Sequence, residues 1–112
     1  MATDPRTVAS LLDQLAGAGD VSARKMFGEY AVYRDGKMVG SVCDDQLFVK
    51  PTVAGRAYIG AAVEAPPYAG AKPHFLIDGA LWDDGAWLSR LIVLTADALP
   101  APKPKQPKSP PS

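Results

Sequence analysis

Apolar residues first recur at helical spacing. Val8, Leu11, Leu12 and Leu15 stand at i, i+3, i+4 and i+7, one stripe of a helix over about residues 5–17. Asp4 is placed to cap it, Pro5 suits its first position, and Gly17 and Gly19 end it. From Met26 the period changes to two. Phe27 to Tyr33 and Lys37 to Cys43 are rich in aromatic and β-branched residues and flank Asp35-Gly36, a pair that favours a tight hairpin turn. Tyr30 and Val32 share one face of the first strand, and Ala31 and Tyr33 share the other. Asp44-Asp45 is a second short turn, and Gln46 to Lys50 completes a three-stranded meander. Gly28 and Gly40 fall within strands, which predicts bulges or close backbone packing there.

Thr52 is placed to cap a short helix over about 53–62, with Ala54, Ala57, Tyr58 and Ala61 as its stripe. Gly55 and Gly60 weaken that helix by about 1 kcal/mol each relative to alanine. Ala65 to Pro73 reads as a loop or a short edge strand, and His74 to Ile77 as a strand. Asp83 and Asp84 begin a last helix over about 84–99. Its wide stripe of Trp87, Leu88, Leu91, Ile92, Leu94, Thr95, Ala98 and Leu99 predicts burial on more than one side, in the core or against a second subunit. The order is α-β-β-β-α-β(β)-α. It predicts an α+β domain with an antiparallel sheet, the meander plus one or two strands, and helices largely on one face.

Composition changes this picture mainly at the C-terminus. The chain has 112 residues and a formal net charge of zero, but the charge is split. Pro100 to Ser112 hold three lysines, no acid and six of the 11 prolines, while residues 1–99 hold 9 basic and 12 acidic side chains. The expected division is a folded domain over 1–99 and an extended, disordered Pro/Lys-rich tail over 100–112. No apolar run is long enough for a membrane span, and the first residues lack a basic region followed by an apolar one. Cys43 is the only cysteine, so no intrachain disulfide forms. These features predict a cytoplasmic protein without a membrane partner.

Ala23 to Gly36 (Ala-Arg-Lys-Met-Phe-Gly-Glu-Tyr-Ala-Val-Tyr-Arg-Asp-Gly) resembles the opening of the TfoX/Sxy N-terminal domain, with its Arg-x-Met-Phe-Gly, a later Tyr and Asp-Gly. Asp44 to Lys50, Pro67-Tyr68, Lys72 to Phe75 and the Trp-containing last helix extend the resemblance to a subgroup of single-domain members, over about residues 5–99. Glu29 and Ala31 stand where many members have glycine, and Val39 where many have Phe. The resemblance implies a two-layer sandwich similar to type III secretion chaperones, able to form a homodimer. It also implies a link to transcriptional or competence regulation, in which two-domain members act as co-activators beside the cyclic-AMP receptor protein.

The residues themselves argue against catalysis. One His and one Cys, 31 positions apart, do not make a metal set, so no metal or cofactor is expected. Cys43 reads as a buried strand residue and His74 as a surface or loop-packing residue. A nucleophile–base role would need both within hydrogen-bond reach in one deep pocket. Asp44-Asp45 and Asp83-Asp84 read as a turn and a helix start rather than paired catalytic acids. The candidate interaction surface is Arg24, Lys25, Met26, Phe27, Trp82 and Trp87. Arg24 and Lys25 are expected just ahead of the first strand, Trp87 anchors the last helix, and Trp82 is expected to be partly exposed. Lys103, Lys105 and Lys108 are candidate nucleic-acid contacts. Three lysines give a salt slope of at most about −2.7, hence weak and non-specific binding. The leading expectation is a non-enzymatic regulatory or adaptor domain acting through protein contacts; the alternatives are an accessory nucleic-acid binder and, last, a small enzyme or ligand-binding protein.

Overall fold

The computed structural model describes residues 3–26 and 29–100. Asp4 caps the first helix, its carboxylate accepting from the Arg6 N–H at 2.9 Å with Pro5 at the first helical position. Helix α1 (Pro5–Gln14) and a 3₁₀ turn (Ala16–Ala18) together fill the predicted 5–17 segment. Val8, Leu11 and Leu15 are buried and Leu12 packs beside them, so the predicted stripe is the core-facing stripe.

Six strands follow: β1 (Val21–Met26), β2 (Glu29–Arg34), β3 (Lys37–Cys43), β4 (Gln46–Val49), β5 (Val63–Ala65) and β6 (His74–Ile77). They form one antiparallel sheet in the order β1-β2-β3-β4-β6-β5. The expected three-stranded meander therefore has four strands, and the helix–strand order is α-β-β-β-β-α-β-β-α. Strand β1 was not expected. Arg24 and Lys25 lie inside it rather than ahead of the sheet, and the strand expected over Phe27–Tyr33 is β2, described from Glu29, with the expected Phe27 start and the Gly28 position outside the described residues. Only the small Val21 and Ala23 of β1 pack on the core. Its strand state comes from the ladder to β2 rather than from a strong apolar alternation.

Two turns set the meander. Asp35 and Gly36 both have positive φ, 51° and 81°, as the hairpin signal requires. Asp44 and Asp45 also have positive φ, 53° and 61°, without a glycine. The side chain of Asp45 is put to use: its Oδ1 accepts from the Asp4 N–H and from the Thr7 hydroxyl, each at 2.9 Å, which fastens the start of α1 to the β3–β4 turn.

Between β2 and β3 the register shifts by one residue, with Val32 opposite Gly40 and Tyr33 opposite Met38. Val39 is the extra residue of a β-bulge, and it is fully buried. A Cβ on Gly40 would collide with the Phe48 carbonyl oxygen and press on the Val49 Cα, so this position is closed to any side chain.

The helices cover one face of the sheet. The core between them holds Val32, Val39, Val42, Leu47, Val49, Phe75 and Ile77 from the strands and Leu11, Leu15, Leu88, Leu91 and Ile92 from the helices. Helix α2 (Val53–Ile59) is shorter than the predicted 53–62 and turns a different side inward. Ala57 and Ala61 are exposed, while Gly55 is buried and Tyr58 and Ile59 pack on the core. Gly55 is the price of that approach: a Cβ there would lie 3.3 Å from Phe75 and 3.6 Å from Leu91.

Helix α3 (Gly85–Ala98) is capped by Asp84, whose carboxylate accepts from the Trp87 N–H at 3.1 Å. Its buried residues are Leu88, Ser89, Leu91, Ile92, Thr95 and Ala96; of the predicted stripe, Leu94 is half-buried and Ala98 exposed. Ser89 is inside because α3 crosses the end of α1, where its hydroxyl donates to the Gln14 carbonyl at 3.2 Å. At the other end, Lys37 Nζ donates to the carbonyls of Ala96 (2.8 Å) and Leu99 (3.3 Å), completing a helix terminus that has no glycine.

Candidate interaction groove

Strand alternation sends Val32, Val42, Leu47, Phe75 and Ile77 to the helices, and it sends Ala31, Ser41, Cys43 and Phe48 to the opposite face. No helix covers that second face among the described residues, yet these four residues are buried. Ser41 and Cys43 floor a groove of about 450 Å³ walled by Met26, Glu29, Met38 and His74, with Pro67 and Tyr68 from the β5–β6 loop on its rim. Met26 is 40% exposed and Tyr68 65% exposed, so the rim presents apolar surface to water. A concave, mostly apolar cleft with few polar groups is the ordinary form of a binding surface.

Glu29 sits at one end of the groove in a web with the N-terminal segment. Its carboxylate accepts from the Thr3 hydroxyl and, at 3.2 Å, from the Asp44 N–H. Thr3 is buried and also accepts from the Asp45 N–H at 3.3 Å.

Cys43 and His74 share the groove but not a reaction centre. Cys43 pairs with Gln46, whereas His74 precedes Phe75, which is level with Val49 and through it with Gly40. The two are thus two strands and four register positions apart, roughly 15 Å at ordinary strand spacings. His74 Nδ1 is instead 2.9 Å from the Lys72 carbonyl. Burial pushes the Cys43 thiol above its ordinary pKa, against an opposite pull from Ser41, whose hydroxyl oxygen is 3.8 Å from the sulfur, and with a still smaller upward push from the Glu29 charge. A thiol held protonated is a poor nucleophile.

The predicted interaction residues divide between the two faces. Arg24 points to the helix-free face, its guanidinium 5.4 Å from the centre of the Tyr33 ring. Met26 lines the groove on the same face. Lys25 lies on the opposite side of β1, level with Tyr30. Phe27 lies outside the described residues, as do Lys103, Lys105 and Lys108. Trp87 anchors α3 on the helical side. Its ring stacks on Tyr58 at 5.3 Å and 26°, and its carbonyl accepts from the Tyr58 hydroxyl at 3.1 Å. Trp82 is half-buried against the core, and its buried Nε1 has no hydrogen-bond partner among the described residues. Neither tryptophan joins the groove.

The wide stripe of α3 is taken up by this chain's own sheet, α1 and α2, and no large apolar residue on α3 is exposed. That stripe therefore gives no support to a second subunit. No described helix is long and apolar enough to cross a membrane. The residues that the sequence left unassigned to a site are Glu29, Met38, Ser41, Pro67 and Tyr68. The signal for Met38, Ser41 and Cys43 was their place on the face opposite Val39 and Val42, visible only once the bulge is known.

Two comparisons with known proteins find relatives of this sequence. The sequence model of the TfoX N-terminal domain matches residues 13–99. The chain is also 40% identical over 109 residues to a protein of Spirochaeta aurantia described as an uncharacterized 12.7 kDa protein in the trpE 5′ region, a match that covers 97% of this chain and 94% of that one.

Proposed function

The chain belongs to the TfoX N-terminal domain family, and from that premise we propose that it is a non-enzymatic regulatory or adaptor module of the cytoplasm, working through protein–protein contacts in transcriptional or competence regulation. The observation that carries this reading is the helix-free face of the sheet. A groove rimmed by exposed Met26 and Tyr68 stands beside the cationic strand β1, a concave and mostly apolar surface of the kind that binding sites use. Methionine side chains suit a partner surface, because they are unbranched and adapt to what they meet. The non-enzymatic part is supported by the 15 Å scale of the Cys43–His74 separation and by a thiol that burial keeps protonated.

The test compares wild type with the double variant Met26→Asp/Met38→Asp in capture from the native host, using Val53→Asp, an exposed change on the helical side, as the control. Partners held by wild type and by Val53→Asp should be lost by the groove variant while its circular dichroism stays native. Capture that is indifferent to Met26 and Met38 rejects the groove as the contact surface.

A further inference from the structure

We propose that β1 is a docking edge for an extended acidic segment of another protein, which adds to the sheet as a seventh strand beside the groove. The proposal rests on the reading of this face as a protein-contact surface and names the chemistry of the partner.

The sheet has two open edges, and they differ. Strand β5 is three residues long, and its Glu64 is already paired with Arg56 at 2.7 Å. Strand β1 is six residues long, and no described strand pairs with its outer side. Its hydrogen-bonding phase follows from one bond. The Asp35 N–H donates to the Asp20 carbonyl at 2.9 Å, which makes Asp20 and Asp35 a hydrogen-bonded pair at the head of the β1–β2 register. Antiparallel pairs alternate, so Ser22, Arg24 and Met26 direct their backbone groups to β2. Val21, Ala23 and Lys25 direct theirs outward. The Val21 N–H is used by the Gly19 carbonyl at 3.0 Å. The outer edge therefore offers the N–H and C=O groups of Ala23 and Lys25, the spacing that an added antiparallel strand engages.

Charge selects the occupant. Arg24 and Lys25 are exposed, lie on opposite faces of β1, and have no ion-pair partner among the described residues. A second copy of β1 paired antiparallel with Ala23 opposite Lys25 would set Arg24 directly against its own copy, and one centred on Lys25 would set Lys25 against Lys25, both repulsive. A strand with two adjacent acids would place one acid beside Arg24 and the other beside Lys25. Its residue next to Met26 would reach the rim of the groove, so edge and groove form one surface.

The experiment uses the full chain and two capped octapeptides of valine and threonine, one with two adjacent glutamates at its centre and one with two lysines. Strand addition predicts a pattern of period two. The glutamate peptide slows amide hydrogen exchange at Ala23 and Lys25 at least tenfold, and leaves Arg24 and Met26, already bonded to β2, little changed. Binding should weaken as salt rises, and Arg24→Glu/Lys25→Glu should reverse the preference between the peptides. Lys25→Pro, which removes an outward donor and leaves the β2 ladder intact, should abolish protection at Ala23, while Lys25→Gln should only weaken it. Equal binding of both peptides, protection without the period of two, or no binding overturns the proposal. If it fails while host partners are still lost in Met26→Asp/Met38→Asp, the edge is rejected and the groove reading stands.

Discussion

Gly40 on β3 lies so close to Phe48 on β4 that the Phe48 carbonyl occupies the place of any side chain Gly40 could carry. Both residues are paired backbone, and neither can retreat without breaking the ladder. Gly40→Ala is expected to cost about 3 kcal/mol, the upper end of the ordinary cost of overpacking. Gly79→Ala is the control, since a Cβ there meets nothing within 4 Å; it should be neutral within about 0.5 kcal/mol. Urea denaturation of the two variants decides the matter, and equal midpoints would remove the close-approach account.

Tyr58 and Trp87 tie α2 to α3 in two ways, a ring stack and a hydroxyl-to-carbonyl bond. Tyr58→Phe keeps the stack and removes the bond, at about 1 kcal/mol. Tyr58→Ala removes both. In a double-mutant cycle with Trp87→Ala, the rings should show a coupling of about 0.5–1.5 kcal/mol. A coupling of zero would mean that the rings are merely near each other.

The Cys43 thiol should resist alkylation. Burial raises its pKa above the free value of 9.0, so at pH 8 the folded protein holds less thiolate than the unfolded chain and also shields the sulfur. Iodoacetamide at pH 8 should modify Cys43 at least tenfold more slowly in buffer than in denaturing urea. The linkage runs one way: a raised folded pKa gives a contribution that is full below the unfolded thiol pKa and lost as pH rises through the folded one. Equal rates in buffer and urea would place Cys43 on the surface.

At the other end of the pH scale stands Asp4. Its side-chain hydrogen bonds from Arg6, followed by the Arg6 backbone N–H, lower its carboxyl from 3.8 to about 2. Because the folded pKa is depressed, the capping contribution is present above about 3.8 and is lost as pH falls through 2. An NMR titration of the Asp4 side chain should show a midpoint near 2, and Arg6→Gln should move it back toward 3.8. A wild-type midpoint near 3.8 would show that the Asp4–Arg6 pair does not persist in water.

Much of this fold could be read before any coordinates. Asp35-Gly36 demands positive φ at two successive residues, and Asp4-Pro5 followed by Val8, Leu11 and Leu15 allows little but a capped helix. Strand β1 was hidden because its core-facing Val21 and Ala23 are small and a cation, Arg24 or Lys25, interrupts each face; such an edge strand is defined by its neighbour's ladder more than by its own side chains. The face of α2 was misread for a related reason. Helical periodicity credits the larger Ala57 and Ala61, but contact with Phe75 selects the residue without a side chain, Gly55. The groove was the least legible part. The bulge at Val39 reassigns faces along β3, and the rim comes from Pro67 and Tyr68, in a loop with no period to interpret.

The order in which the chain is made gives α3 a further meaning. The sheet's helical face and α1 emerge before Leu88, Leu91 and Ile92, which share one buried core with Phe75, Leu11 and Leu15. Lys37 waits on the β2–β3 hairpin for carbonyls roughly sixty residues downstream. A nascent chain halted before Gly85 therefore lacks Leu88, Leu91 and Ile92 and leaves the apolar side chains that they pack against open to chaperones and proteases. For this fold the arrival of α3 is the step at which the apolar face of the sheet is closed.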